Sequence, residues 1–101
     1  MVQNLRPSLE KAKTGLVRLA VQSPAPNPGA LATAAKLLTA LAVGAPAESR
    51  AARLAASLKA DYEMWFGEDQ VADSQAQQRQ RAAMLMAIGE FIDLAARRPG
   101  P

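Results

Sequence analysis

The chain contains no cysteine and no histidine. Without these side chains it cannot use thiolate nucleophiles, imidazole acid–base catalysis, disulfides or the common zinc sites. Paired carboxylates could still catalyse a reaction, but the nine acidic residues fall at positions that we predict to be solvated. The six glycines are scattered singly, so no phosphate-binding loop is predicted. We therefore expect no enzymatic activity, no catalytic or metal-binding residue and no cofactor.

Large side chains are also scarce. Half of the 101 residues are hydrophobic, but 23 of them are alanine. Alanine favours the helix strongly and contributes little buried area per residue. Such a chain forms helices readily around a thin core, and a second copy often completes a core of this kind. The composition therefore predicts a single domain that forms a homodimer.

Neither a targeting signal nor a membrane span is evident. Arg6, Glu10 and Lys11 interrupt any apolar run of the signal-peptide type, and no apolar run is long enough to cross a bilayer. The net charge of +3 is modest. The composition is rich in alanine, arginine and proline, which is typical of a GC-rich bacterial genome. We expect a cytoplasmic protein of a bacterium or its phage.

The hydrophobic pattern predicts four helices within one domain over residues 1–101. They cover residues 6–21, 30–43, 46–66 and 74–97. Three prolines in QSPAPNPG, residues 22–29, predict an extended linker, and residues 98–101 form a terminal tail. Patterns typical of strands are absent. The predicted fold is all-α, a small three- to four-helix bundle built on an antiparallel hairpin of helices 3 and 4.

Single residues refine the first two helices. Apolar residues recur at steps of three and four between Leu5 and Leu19, which places them on one stripe of helix 1. Gly15 inside this helix indicates a close approach by a neighbouring backbone. Helix 2 carries one charge, Lys36. So little polarity predicts that helix 2 is buried on more than one side.

Helix boundaries have their own signals. Gly44 is suited to the C-terminal cap of helix 2. Pro46 is suited to the first turn of helix 3. Ser74 and Gln77 have the spacing of a capping box at the start of helix 4. An acidic loop, residues 67–73, is predicted between helices 3 and 4.

Three of the four aromatic residues lie in one short segment, DYEMWFGEDQ at 61–70. Tyr62 and Trp65 lie on the predicted buried stripe of helix 3, so we expect them to support the core. Met64 and Phe66 fall off that stripe, on opposite flanks. Either helix 1 or helix 2 covers them, or they belong to a partner or self-association surface, where methionine and aromatic residues are enriched.

Helix 4 is apolar on two sides. Met86 points almost opposite to Ile88, and Leu94 also lies off the main stripe. A helix of this kind is buried on two sides or associates with a partner. We therefore predict a partner-binding surface on the helix 3–helix 4 hairpin. Its candidate residues are Met64, Phe66, Met86 and Leu94, with Tyr62 and Trp65 supporting them.

These features favour a small non-enzymatic regulator or adaptor that binds another protein, of the inhibitor, anti-activator or chaperone type. One alternative is a dimeric transcriptional regulator that binds nucleic acid through four arginines, Arg50, Arg53, Arg79 and Arg81. Arginine and glutamine suit phosphates and base edges, but SQAQQRQR (74–81) carries only two charges and is more typical of a polar helix end. A structural subunit of a phage or secretion assembly is a further alternative. No membrane or small-molecule partner is expected.

Overall fold

The computed structural model describes residues 6–68 and 73–97, with side chains from residue 9 onward. Within these ranges there are four helices and no strand: α1 (Arg6–Val21), α2 (Pro28–Ala42), α3 (Arg50–Trp65) and α4 (Ser74–Arg97). The predicted all-α bundle with an α3–α4 hairpin is confirmed. The predicted tail 98–101, residues 69–72 of the acidic loop and Leu5 of the helix 1 stripe lie outside the described residues.

The helices form an elongated bundle with extents of 48 × 24 × 19 Å. α1 packs against α4 and α2, and α3 packs against α2 and α4. Successive helices run antiparallel, so the C-terminal ends of α1 and α3 meet the N-terminal ends of α2 and α4. We call this the Trp65 end of the bundle. The bonds that join the elements there run from Trp65 to Gln22, from Asn27 to Phe66 and from Arg81 to Ala20.

The core is built from a few large side chains among many small ones. The largest fully buried residues are Trp65, Tyr62, Phe91, Leu16, Leu58, Met84 and Ile88. Leu16 and Leu19 are buried from the predicted stripe of α1. A Cβ on Gly15 would lie 3.2 Å from Leu37 Cδ1. The neighbour is a leucine side chain of α2, so the predicted close approach by a backbone is wrong.

Two helices begin at residues other than those predicted, because capping side chains determine where each first turn begins. α3 begins at Arg50, four residues later than predicted, since the Ser49 hydroxyl accepts a hydrogen bond from the Ala52 N–H at 3.2 Å. That hydroxyl also donates to Pro46 O at 2.7 Å, so residues 46–49 form a turn. α2 begins inside the predicted linker, because Asn27 Oδ1 accepts from the Ala30 N–H at 3.0 Å.

Two further caps can be compared with their predictions. Gly44 has a φ of 85°, the left-handed conformation that ends many helices, as predicted. At the start of α4 the cap is Asp73 and not Ser74. Asp73 Oδ1 accepts from the Gln75 N–H at 3.2 Å, and Asp73 O accepts from the Gln77 N–H at 2.9 Å. The first helical bond therefore places the cap one residue before Ser74, so the predicted register was wrong.

Candidate protein-binding surface

The aromatic residues at the end of α3 belong to the core. Tyr62 is fully buried and Trp65 is 1% exposed. The Tyr62 hydroxyl donates to Leu16 O, and Trp65 Nε1 donates to Gln22 O at 2.9 Å. Both side chains therefore join α3 to the C-terminal part of α1. They support the fold, and neither is accessible to a partner.

Phe66 is also buried, with 2% of its surface exposed, so its predicted place on an interaction surface was wrong. Its ring stacks on Tyr62 with a centroid distance of 6.3 Å and an interplanar angle of 8°. Phe66 is the C-cap of α3, with φ −112° and ψ 12°, so a helical projection does not describe its direction. Phe66 O accepts from the Asn27 N–H at 3.0 Å, which brings the α1–α2 linker against this end of α3.

The remaining predicted residues do not form one surface. Met64 is 45% exposed and its sulfur accepts a hydrogen bond from Gln80 Nε2 at 3.7 Å. Met86 is 77% exposed, but at 100° per residue it lies about 120° around α4 from Gln80. Leu94 is half-buried and packs against the core. Of the residues predicted for the hairpin surface, Met64 and Met86 are exposed, and they do not lie together.

Arg81 makes intramolecular bonds. Its Nε donates to Ala20 O at 3.0 Å and a terminal nitrogen donates to Gln22 O at 3.2 Å. The guanidinium lies 5.2 Å from the centroid of the Trp65 ring, a cation–π distance. Arg81 therefore binds the C-terminal end of α1 in the folded chain.

The four arginines of the nucleic-acid hypothesis are not gathered into one cluster. Arg50 forms an ion pair with Glu90 through both guanidinium Nε and a terminal nitrogen. Arg53 on α3 and Arg79 on α4 are exposed. Half of the predicted basic set is thus engaged within the chain, which weakens the interpretation of these residues as a phosphate-binding face.

A different surface, made of small and apolar residues with two lysines, is exposed on α2 and α3. α2 buries Ala30, Ala34 and Leu38 and packs against α1, α3 and α4. It is therefore covered on more than one side, as predicted, but not all the way round. Its outer side faces solvent. We define the α2–α3 face by six residues on and beside these helices: Lys36, Thr39, Ala40, Val43, Ala56 and Lys59.

The α2–α3 face contains two adjoining concavities. One lies on the outer side of α2 and includes Lys36 and Ala40. The other, with a volume of ≈ 360 Å³, runs between α2 and α3 and includes Val43 and Lys59. Thr39 lines both, and Val43 is 70% exposed. In the sequence, the signal for this face was that α2 carries a single charge. The shortage of charge shows that the helix surface is apolar, but it does not show what covers that surface.

Two carboxylates have shifted pKa values. Burial raises the pKa of Asp61 on α3 above its ordinary value. The hydrogen bond from Arg50 lowers the pKa of Glu90. Burial opposes this effect, and the charge of Arg50 adds a smaller lowering. Burial, and then the charge of Asp61, raises the pKa of the Tyr62 hydroxyl. These shifts follow from packing and from one surface ion pair.

Within residues 6–68 and 73–97, no group of three or more aspartates and glutamates is placed to hold a metal ion. In that same part of the chain no helix combines the length and the apolar character needed to cross a membrane. No family model, no curated protein and no solved structure matches this chain. A candidate site can therefore be argued only from the geometry and chemistry of this chain.

Proposed function

We propose that this protein is a small non-enzymatic regulator that binds another protein through the α2–α3 face. The observation that carries the proposal is the exposed, nearly uncharged outer side of α2, in a chain with few large apolar residues. Exposed apolar area is unfavourable in water, and burying it against a partner recovers roughly 25 cal/mol per Å². The face takes the place of the hairpin surface that the sequence suggested.

The shape of the face suits contact with a second helical surface. Thr39, Ala40 and Ala56 are short side chains, so another backbone can approach α2 and α3 closely. By occupying an apolar strip on its target, the protein shields or blocks that strip, as an inhibitor, anti-activator or chaperone does. We include in the proposal a cytoplasmic site of action in a bacterial cell, which the composition favours.

The test is retention of a partner by matched variants of the full chain. Ala40→Glu adds a charge to the α2–α3 face, and Ala82→Glu adds the same charge at an exposed position of α4. Both changes are on helix surfaces and should alter stability by no more than about 0.5 kcal/mol. We expect a protein from lysate of the source cells to be retained by the wild type and by Ala82→Glu, and lost by Ala40→Glu.

The same experiment addresses the alternatives. Nucleic acid retained at 50 mM salt, lost by about 200 mM and indifferent to Ala40→Glu would support the nucleic-acid regulator instead. A retained protein that both variants bind equally would move the site away from the α2–α3 face. Sedimentation of the purified chain tests the predicted homodimer, and a large stable oligomer would support the structural subunit.

A further inference from the structure

We infer that the partner presents to the α2–α3 face an amphipathic helix whose apolar stripe is flanked by carboxylates. This inference rests on the proposed function and specifies the chemistry of the partner. It follows from the charges around the face, from its length and from the consequence of placing a second copy there.

The charges of the face have one sign. The charged residue of the outer α2 concavity is Lys36, and that of the α2–α3 groove is Lys59. Among the described residues neither lysine forms an ion pair. Glu63 follows Lys59 by one turn of α3, but it lines neither concavity. Two unpaired ammonium groups beside an apolar strip favour carboxylates on the occupant.

The dimensions of the face favour a helix. α2 has 15 residues and α3 has 16, which correspond to roughly 22–24 Å at 1.5 Å per residue. A groove between two antiparallel helices accepts a third helix, whose residues at i, i+3, i+4 and i+7 supply the apolar contacts. A partner segment of about four turns would cover the face from end to end.

A second copy of this chain is a poorer occupant. If the α2–α3 face met itself across a two-fold axis, each copy would bring Lys36 and Lys59 to the same contact. α2 carries no acidic residue, and the two acids of α3, Asp61 and Glu63, line neither concavity. Like charges that meet at an interface are unfavourable, so the charge pattern selects a different protein.

The experiment uses the full chain and three fluorescein-labelled helical peptides of 16 residues. The peptides share one leucine and alanine stripe and differ in the flanking positions, which carry glutamate, glutamine or lysine. Fluorescence anisotropy gives the Kd of each peptide. We expect the glutamate peptide to bind about 2- to 30-fold more tightly than the glutamine peptide, since two solvent-exposed ion pairs are formed.

Charge-reversed variants locate this preference. Lys36→Glu/Lys59→Glu should transfer the preference to the lysine peptide. Lys11→Glu/Lys13→Glu makes the same change in net charge at two exposed positions of α1 and should leave the glutamate peptide preferred. A preference that the α1 variant abolishes as readily would overturn the inference, because it would arise from net charge and not from the face.

The peptide results separate this inference from the proposed function. Equal binding of all three peptides, sensitive to Ala40→Glu, would reject the carboxylate flanks and keep protein binding at the face. If no peptide binds but Ala40→Glu still releases a retained protein, the helical form of the partner is rejected. Protein binding at the α2–α3 face is then kept. Absence of any retained protein that depends on Ala40 would reject the proposed function itself.

Discussion

Arg81 satisfies carbonyl groups that the end of α1 leaves open. The last four carbonyls of a helix have no partner within the helix. Arg81 donates to Ala20 O in the last turn of α1 and to Gln22 O just beyond it. A cation at a helix C-terminus also interacts favourably with the helix dipole. Trp65 lies against the same guanidinium and donates to the same Gln22 carbonyl. Arg81, on α4, therefore contacts both α3 and the end of α1.

We predict that Arg81→Gln lowers the free energy of unfolding by about 1–2 kcal/mol, since it removes charge-assisted bonds at a helix end. Arg79→Gln is the matched control, two residues away and exposed, and should change it by less than about 0.5 kcal/mol. Urea unfolding of both variants measures the difference. Equal effects of the two substitutions would show that the bonds of Arg81 contribute nothing.

Asp61 and Glu90 respond to pH with opposite signs. The folded pKa of Asp61 is raised by burial. Its charged form therefore destabilises the fold at neutral pH, and this effect disappears once the pH falls through the folded pKa to below 3.8, its ordinary value. The folded pKa of Glu90 is lowered by Arg50. Its favourable contribution is present above 4.5, its ordinary value, and is lost as the pH falls through the folded pKa.

We therefore predict that Asp61→Asn is more stable than the wild type at pH 7, and that the difference disappears near pH 3, where the aspartate is protonated in both states. Glu90→Gln should be less stable at pH 7, with a difference that also vanishes at low pH. Urea midpoints at several pH values measure both. A destabilised Asp61→Asn at pH 7 would mean that its carboxylate has a favourable partner.

At the scale of the element, side chains just outside a helix decide where it begins. Asn27, Ser49 and Asp73 each bind a backbone N–H group in the first turn of the following helix. The hydrophobic pattern continues across these boundaries, so periodicity alone placed two starts a few residues away. The existence of every helix was predictable because the apolar stripes span several turns.

The start of α4 offers a direct comparison of two adjacent residues. Asp73→Ala should lower the free energy of unfolding by about 0.5–2 kcal/mol, because it removes the side-chain cap. Ser74→Ala should leave it within about 0.5 kcal/mol. Thermal or urea unfolding of the two variants measures this. A larger loss for Ser74→Ala would restore the capping box that the sequence pattern suggests.

At the scale of the whole molecule, the bundle has a thin core in which three of the four aromatic side chains gather at the Trp65 end, with Phe91 farther along α4. Tyr62, Trp65 and Phe66 fill the space where α1, α3 and the linker meet. Far from that end, the outer side of α2 remains exposed. The same shortage of large side chains thus explains why the aromatics are buried and why an apolar helix surface is left for a partner.

The sequence by itself determined the fold class, the four helices and the roles of Tyr62, Trp65 and Gly44, because periodicity and local backbone preference depend on neighbouring residues. Only the tertiary structure decided which apolar residues are exposed. Phe66 lies off the helical stripe and is nevertheless buried, whereas Val43, the residue that follows the apolar helix α2, faces solvent. Burial depends on which distant segment packs alongside, and a helical pattern does not contain that information.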